Sequence, residues 1–266
     1  TIGVVTTVEG VHTEVMGDIE QIAIAKGELI QSLPSNGLAV LNADVPLVST
    51  MSRLTSAEVL TFGRVGDVRA RGVQVDGDLL ASFVVVSPWG EFTVRLGARG
   101  AHNVANALAA AAVALHLGVP LEKVAEGLEA PLQSPWRMEL RRSPSGASIL
   151  NDSYNASPTS MAAALRALAA LDPVGQGRRL AVLGVMAELG ASSAVEHRDI
   201  AVLADDLGIE VLAIGTDLYG VEPVADIPAA LRILKTWNPG PSDAVLVKGS
   251  RVAGLEALAS ELLEIG

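Results

Sequence analysis

The polar stretch "NDSYNASP", Asn151 to Pro158, interrupts a chain that is otherwise half hydrophobic. It lies between the strand-like "ASIL" and the helix-like "TSMAAALRALAALDP". Asn, Asp, Ser and Pro are turn formers, and Ser157 or Thr159 has the side chain of a helix N-cap. The same residues at the carboxyl end of a parallel strand would instead line a ligand loop, because open α/β sheets bind ligands there. Position alone leaves both readings open. Lys248, Ser250 and Arg251 fall where a strand gives way to a helix. Two cations and a hydroxyl at such a junction suit an anionic group. "HNVAN" sets His102 and Asn106 four residues apart, on one helix face. The Asn amide offers a donor and an acceptor, which suits an adenine edge; the alternative is a cap by His102 or Asn103, with Asn106 packed on a loop. His12 and Lys26 are fourteen residues apart. Taken singly, His12 caps a loop and Lys26 lays its stem along an amphipathic helix.

The elements that must position these residues differ between the two halves of the chain. "IGVVTTV" and "GLAVLNA" are continuous apolar runs and read as buried strands, the second ending in the polar "NAD". Between them "DIEQIAIAKGELIQSL" has apolar residues at helical spacing, with Asp18 as N-cap and Pro34 and Gly37 as the stop. From Glu58 to Leu96, short alternating strands separated by Gly, Asp and Pro-Trp-Gly turns predict antiparallel hairpins. "HNVANALAAAAVALHLG" and "PLEKVAEGLEA" return to helix. A boundary is expected in "APLQSPWRME", dividing the chain into residues 1–134 and 135–266. Beyond it, strand-like segments at 146–151, 179–184, 209–215 and 243–248 alternate with helix-like segments at 159–171, 194–207, 227–236 and 251–264. That rhythm implies a mostly parallel sheet with helices on both faces. The whole is α/β: a parallel-sheet domain with antiparallel hairpins, then a Rossmann-like domain. In the second, "NDSYNASP", "MAELGASS", "GTDLYG" and "KGSRVAG" all follow strands and share one edge of the sheet. This strengthens the ligand-loop reading.

Composition narrows the function classes. Aromatic residues are 3% of the 266, so the core is built of Ala, Val and Leu. A net charge of −11 argues against a general nucleic-acid or membrane-surface role, although backbone N–H groups and a few placed cations still bind phosphates locally. The chain has no cysteine, which excludes disulfides and thiolate chemistry, and its four His are a poor basis for a structural zinc site. Neither a signal peptide nor an uninterrupted apolar run of spanning length is apparent, so a cytoplasmic protein with no membrane partner is expected. No G-x-G-x-x-G follows a strand, which counts against a dinucleotide-binding oxidoreductase. The chain opens on Thr1 and directly on a strand, as expected of a piece cut from something longer.

In order and spacing, "NDSYNASP", "LGVMAELG" with "EH" six residues on, and "VLVKGSR" resemble the C-terminal domain of the Mur ligases. Upstream, "VHTEVMGDIEQIAIAKGE", "NGLAVLNADV", "GAHNVANALAAAAVAL" and "WRMEL" resemble the second half of that family's central ATPase domain. The resemblance covers essentially the whole chain. It implies an enzyme that forms an amide bond with ATP and Mg²⁺ through an acyl phosphate. The "DSYNA" loop points to the member that joins D-alanyl-D-alanine to a UDP-muramoyl-tripeptide in peptidoglycan precursor synthesis. That loop argues against related amide ligases of the folylpolyglutamate or cyanophycin type.

The resemblance also implies roles for single residues. His12 would ligate magnesium, and Lys26 would carry a carbamate, whose two anionic oxygens suit Mg²⁺ as an ammonium does not. Asn106, with His102 on the same face, would meet adenine, Arg137 the nucleotide and Asp152 the ribose. Tyr154 and Asn155 would face phosphates or the incoming dipeptide. Lys248, Ser250 and Arg251 would hold the dipeptide carboxylate or the acyl phosphate. The family's Gly-Lys-Thr or Gly-Lys-Ser phosphate loop and its following acidic metal ligand are absent here. So is the domain that holds the UDP-sugar. The chain is therefore expected to be roughly the last three-fifths of such an enzyme, with the missing N-terminal portion as its partner. Alone it is expected to be inactive, or a non-catalytic binding module. Three positions depart from the family pattern: Ser157 for Asn in the loop, Val185 for an acid before "MAELG", and "VHTEVMGD" without its usual aromatic. Ser157 keeps a hydrogen-bonding group.

Overall fold

The computed structural model describes residues 1–9, 18–131, 134–171 and 177–264. The chain divides into two compact units, Thr1–Asp76 with Leu80–Leu132, and Gly77–Leu79 with Gln133–Gly266.

The first unit holds β1 (Ile2–Val5), α1 (Ile19–Gln31), β2 (Leu38–Asn42) and β3 (Glu58–Phe62), then β4 (Arg69–Val75), β5 (Leu80–Ser87) and β6 (Gly90–Arg99), and the helices α2 (Asn103–His116) and α3 (Leu121–Glu129). The first three strands form a parallel sheet in the order β1-β2-β3, and β4-β5-β6 form an antiparallel one. Every residue of the central strand β2 is buried, which is why "LAVLN" shows no polar alternation. Asp18 caps α1 by accepting from the Gln21 N–H at 2.9 Å. Ile22 and Ile30 of α1 pack with Leu41 and Val48, while Ala111, Ala112 and Leu115 of α2 join Val40, Phe62 and Val85 in a second cluster. The alanines let α2 pack closely, which compensates for the scarcity of aromatics. Gly97 on β6 is required by close approach: a Cβ there would lie 2.0 Å from the Ala130 carbonyl oxygen at the end of α3.

The second unit holds β7 (Glu139–Arg142), β8 (Ser148–Asn151), α4 (Pro158–Ala170), β9 (Arg179–Leu183), α5 (Ser193–Asp206), β10 (Glu210–Ala213), α6 (Ile227–Trp237), β11 (Ala244–Lys248) and α7 (Glu256–Leu262). Its five-stranded sheet runs β10-β9-β11-β8-β7. β8, β9, β10 and β11 are parallel, and β7 adds an antiparallel edge. Leu165 and Leu168 of α4 and Ile200 and Ala204 of α5 cover one face; Leu234 of α6 and Leu258 and Leu262 of α7 cover the other. In the first unit Glu58–Phe62, expected among the antiparallel hairpins, instead joins the parallel sheet beside β2; in the second, the α/β organisation is as the alternation predicts, with two differences. The edge strand β7 carries "ELRR" and has no apolar run to announce it. The helix expected over 251–264 begins as a 3-10 turn, Arg251–Ala253, and is interrupted by Gly254 at φ +61° before α7 starts. Among the described residues no helix is long and apolar enough to cross a membrane.

Candidate functional site

In the first unit, the residues singled out by type gather at two places. Lys26, partly buried on α1, donates from Nζ to the Thr7 carbonyl at 2.8 Å. Asn42, at the carboxyl end of β2, donates from Nδ2 to the neighbouring Thr6 carbonyl at 2.8 Å. Its Oδ1 accepts the Asp44 N–H, and Asp44 Oδ2 in turn accepts the Arg64 N–H at 2.8 Å. The segment leaving β1 is thus gripped by one cation from α1 and one amide from the end of β2. His12 lies outside the described residues. Among the described residues no three His, Asp or Glu side chains gather to hold a metal ion. The described part of the first unit therefore shows Lys26 bonded to Thr7 and no complete ligand set for the magnesium that the resemblance implies.

The second place is the start of α2. His102 occupies the cap position but makes no side-chain cap bond. Asn103 links the cluster: its Nδ2 donates to the Arg99 carbonyl at 2.7 Å and approaches His102 Nε2 at 3.2 Å. Its Oδ1 accepts from Asn106 Nδ2 at 2.9 Å. His102 and Asn106 are both exposed, so the amide presented to solvent is that of Asn106, braced by Asn103. The alternative in which Asn106 is buried on a loop does not occur.

In the second unit, the carboxyl ends of β8, β9 and β11 lie side by side and their loops interlock. Ser157 caps α4 in a reciprocal box with Ser160, bonded at 2.9 and 3.3 Å. The departure at Ser157 is therefore a helix cap, worth about 1 kcal/mol as such caps usually are. Upstream in the same loop Asp152 sits beside Lys248. Lys248 is 2% exposed, and its Nζ donates to Asp152 Oδ2 at 2.5 Å, the Asn155 carbonyl at 2.9 Å and the Asp152 carbonyl at 3.3 Å. Burial lowers the Lys248 pKa, the Asp152 carboxylate pulls it back up, and the charge of Arg137 adds to the lowering. Asp152 Oδ1 accepts the Met138 N–H at 3.0 Å.

Two cation-aromatic stacks lie over this loop. The Arg137 guanidinium is 3.8 Å from the centre of the Tyr154 ring, and that of Arg251 is 4.4 Å from Trp136. Arg137, Tyr154, Asn155 and Arg251 are exposed, so they are the groups available to a ligand. Ser250 is buried; its Oγ accepts the Ala187 N–H at 2.9 Å and lies 3.4 Å from the Ala156 carbonyl. It ties the β9 and β11 loops together. Gly184 and Gly249 allow those loops to meet, since a Cβ on Gly249 would come 3.1 Å from Gly184 Cα and 3.0 Å from Leu255.

Two further residues, His197 of the quoted "EH" and Tyr219 of the "GTDLYG" loop, were given no role of their own and complete the constellation. His197, fully buried on α5, accepts the Met186 N–H at Nε2, 2.9 Å away, and its Nδ1 lies 2.6 Å from the Ser193 carbonyl. Tyr219 donates its hydroxyl to the Gly184 carbonyl at 2.8 Å. Burial pushes the Tyr219 pKa far up, so the hydroxyl stays protonated and a donor. The signals for them were the spacing of "EH" from "LGVMAELG" and the place of "GTDLYG" after a strand, neither of which gives the side chain's partner.

Residues 1–114 match the Mur ligase middle domain, and residues 136–251 match the Mur ligase, glutamate ligase domain. The chain is 40% identical to a UDP-N-acetylmuramoyl-tripeptide--D-alanyl-D-alanine ligase of Mycobacterium tuberculosis, over 98% of this chain and 58% of that protein. It superposes on a crystal structure of MurF from Acinetobacter baumannii with a TM-score of 0.87 at 30% identity, covering 98% of this chain and 59% of the other. A Thermotoga maritima MurF ligase solved with ADP shares the fold, at a TM-score of 0.81, 24% identity, and 98% and 61% coverage. The chain thus spans 58% of the length of its mycobacterial relative.

Proposed function

Because this chain belongs to the Mur ligase family, we propose that it forms the nucleotide and amine-substrate side of an ATP-dependent ligase joining D-alanyl-D-alanine to a UDP-muramoyl-tripeptide. The 40% identity to a ligase of that name supports the choice of member. The observation that carries the reading is the grouping of exposed Arg137, Tyr154, Asn155 and Arg251 at adjoining strand ends, over a braced Asp152. In the proposed reaction a carboxylate oxygen of the tripeptide attacks the γ-phosphorus of ATP, and the bond to ADP breaks. The dipeptide amine then attacks the acyl carbon, loses a proton, and phosphate departs. Catalysis of such steps is positioning and charge stabilisation rather than covalent work by the protein.

Arg137 and Asp152 would orient the nucleotide, and Asn106 would present its amide to the adenine edge, with His102 beside it. Tyr154, Asn155 and Arg251 would receive the phosphates or the dipeptide carboxylate. Magnesium would supply charge neutralisation at the phosphates. Lys26 suits it as a carbamate, because a carbamate nitrogen keeps one N–H for the bond to Thr7 and adds two anionic oxygens. The loop that cradles the β- and γ-phosphates, and the UDP-sugar site, would come from a portion outside these 266 residues. The test is steady-state kinetics of the complete enzyme. Asn106→Ala and Arg137→Ala should each raise the KM for ATP about tenfold or more, as loss of a ligand hydrogen bond usually does, with the dipeptide KM little changed. An unaltered KM for ATP in both variants overturns the assignment.

A further inference from the structure

We propose that Lys248 is a positioning residue rather than a substrate contact: through Asp152 it fixes the strained Trp136–Met138 segment that carries Arg137. The proposal rests on the nucleotide role given above to Arg137. An ammonium has three protons, and three protein oxygens lie within reach of this one, those of Asp152 Oδ2, Asp152 O and Asn155 O. With 2% exposure, no donor of Lys248 is left for a ligand. The carboxylate it holds is a bridge, since its other oxygen takes the Met138 N–H.

That bond falls where the backbone needs support. Trp136 and Met138 have φ of +61° and +49°, a region that bulky L-residues seldom occupy. Such conformations persist when the surroundings over-determine them. Here the restraints include the Met138–Asp152 bond, a bond from the Tyr154 N–H to the Trp136 carbonyl at 3.1 Å and a longer one from the Trp136 N–H to Glu139 Oε2 at 3.5 Å. Arg137 lies between the two left-handed residues, with its guanidinium stacked on Tyr154. Removing the charge at 248 leaves Asp152 desolvated and unpaired, so it turns toward water. Met138 then loses its acceptor, the two left-handed residues relax, and Arg137 loses its place. Lys248 never touches the ligand in this account, yet nucleotide binding depends on it.

Three measurements test the proposal. In the 266-residue chain, Lys248→Met and the milder Lys248→Gln, which keeps a neutral donor, should speed hydrogen exchange at the Met138 and Tyr154 amides by about tenfold or more, while β9 amides keep their protection. In the complete enzyme the same variants should raise the KM for ATP by about tenfold and the D-alanyl-D-alanine KM by less, since the dipeptide side loses only the bond to the Asn155 carbonyl. In the unmodified chain, acetic anhydride should label Lys248 about a hundredfold more slowly than exposed Lys235, with or without the dipeptide. Unchanged exchange at Met138 and Tyr154, a rise in the dipeptide KM with the ATP KM constant, or ready labelling of Lys248 that the dipeptide blocks would each overturn it. The exchange and labelling measurements do not depend on turnover. An unmodified enzyme that forms no amide bond would therefore sink the ligase reading and leave the clamp to be judged by these two.

Discussion

The buried rings of His197 and Tyr219 meet edge-on, their centroids 4.9 Å apart, beneath the loop that leaves β9. Each holds one end of the same three-residue segment. Tyr219 donates to the Gly184 carbonyl, and His197 accepts the Met186 N–H. With Nδ1 against the Ser193 carbonyl, His197 is the neutral Nδ1–H tautomer, because Nε2 must stay free to accept.

This arrangement makes stability depend on pH. Burial lowers the His197 pKa below its usual 6.5, while the Ser193 carbonyl and Glu196 oppose the shift. The unfolded chain therefore takes a proton near 6.5, and the folded chain only at lower pH. In that window the unfolded state binds more protons, so the His197 contribution is present at neutral pH and is lost as pH falls. Its slope cannot exceed about 1.4 kcal/mol per pH unit for one proton. Urea unfolding from pH 7.5 to 5 should show this extra slope in the unmodified chain and not in His197→Gln. Identical slopes would contradict the assignment.

Tyr219→Phe removes one hydroxyl and leaves the Gly184 carbonyl without that donor. The expected loss is about 1–2 kcal/mol, the usual cost of a buried hydrogen bond broken on one side. Denaturant midpoints of the two proteins measure it, and an equal or higher midpoint for the Phe variant would count against a load on this hydroxyl.

Lys26→Ala in the complete enzyme should abolish ligation, and short carboxylic acids should restore part of it by standing in for the carbamate oxygens. The motivation is the pairing of Lys26 with the Thr7 carbonyl at a strand end and the unsuitability of an ammonium as a magnesium ligand. Full activity of the Ala variant without added acid would end the carbamate proposal.

Residues 133–266 should fold without the rest of the chain. The unit has a five-stranded sheet covered by helices on both faces and is of ordinary domain size. Expressed alone, it should melt in one cooperative transition, with its most protected amides in β8, β9 and β11. A broad, non-cooperative melt would place the boundary elsewhere.

What could be seen in the sequence follows from what sets each feature. β8, β9 and β11 are buried on both faces, so their apolar runs announce them; β7 is an edge strand, and of its residues only Leu140 is apolar. The loops after β8, β9 and β11 were legible as a shared site because strand ends in a parallel sheet must gather. The inward turn of Lys248 was not, because its burial depends on an acceptor 96 residues away. The left-handed backbone at Trp136 and Met138 was equally hidden, since neither residue is the Gly or Asn that usually marks that conformation. Asn103 entered the sequence argument as a possible cap, yet it braces Asn106, a contact set by rotamers within the first turn of α2.

The most direct test of the ligase reading is phosphate release and amide-bond formation from ATP, Mg²⁺, UDP-muramoyl-tripeptide and D-alanyl-D-alanine. It is run with these 266 residues alone and with the N-terminal portion of the enzyme supplied. The account predicts one phosphate and one UDP-muramoyl-pentapeptide per ATP when the portion is present, and neither when it is absent, because nothing in "VHTEVMGD", "HNVAN" or "DSYNASP" replaces a phosphate loop. Product from the isolated chain would show that the ATP site has been misassigned, and no dipeptide-dependent product from the complete enzyme would contradict the function itself.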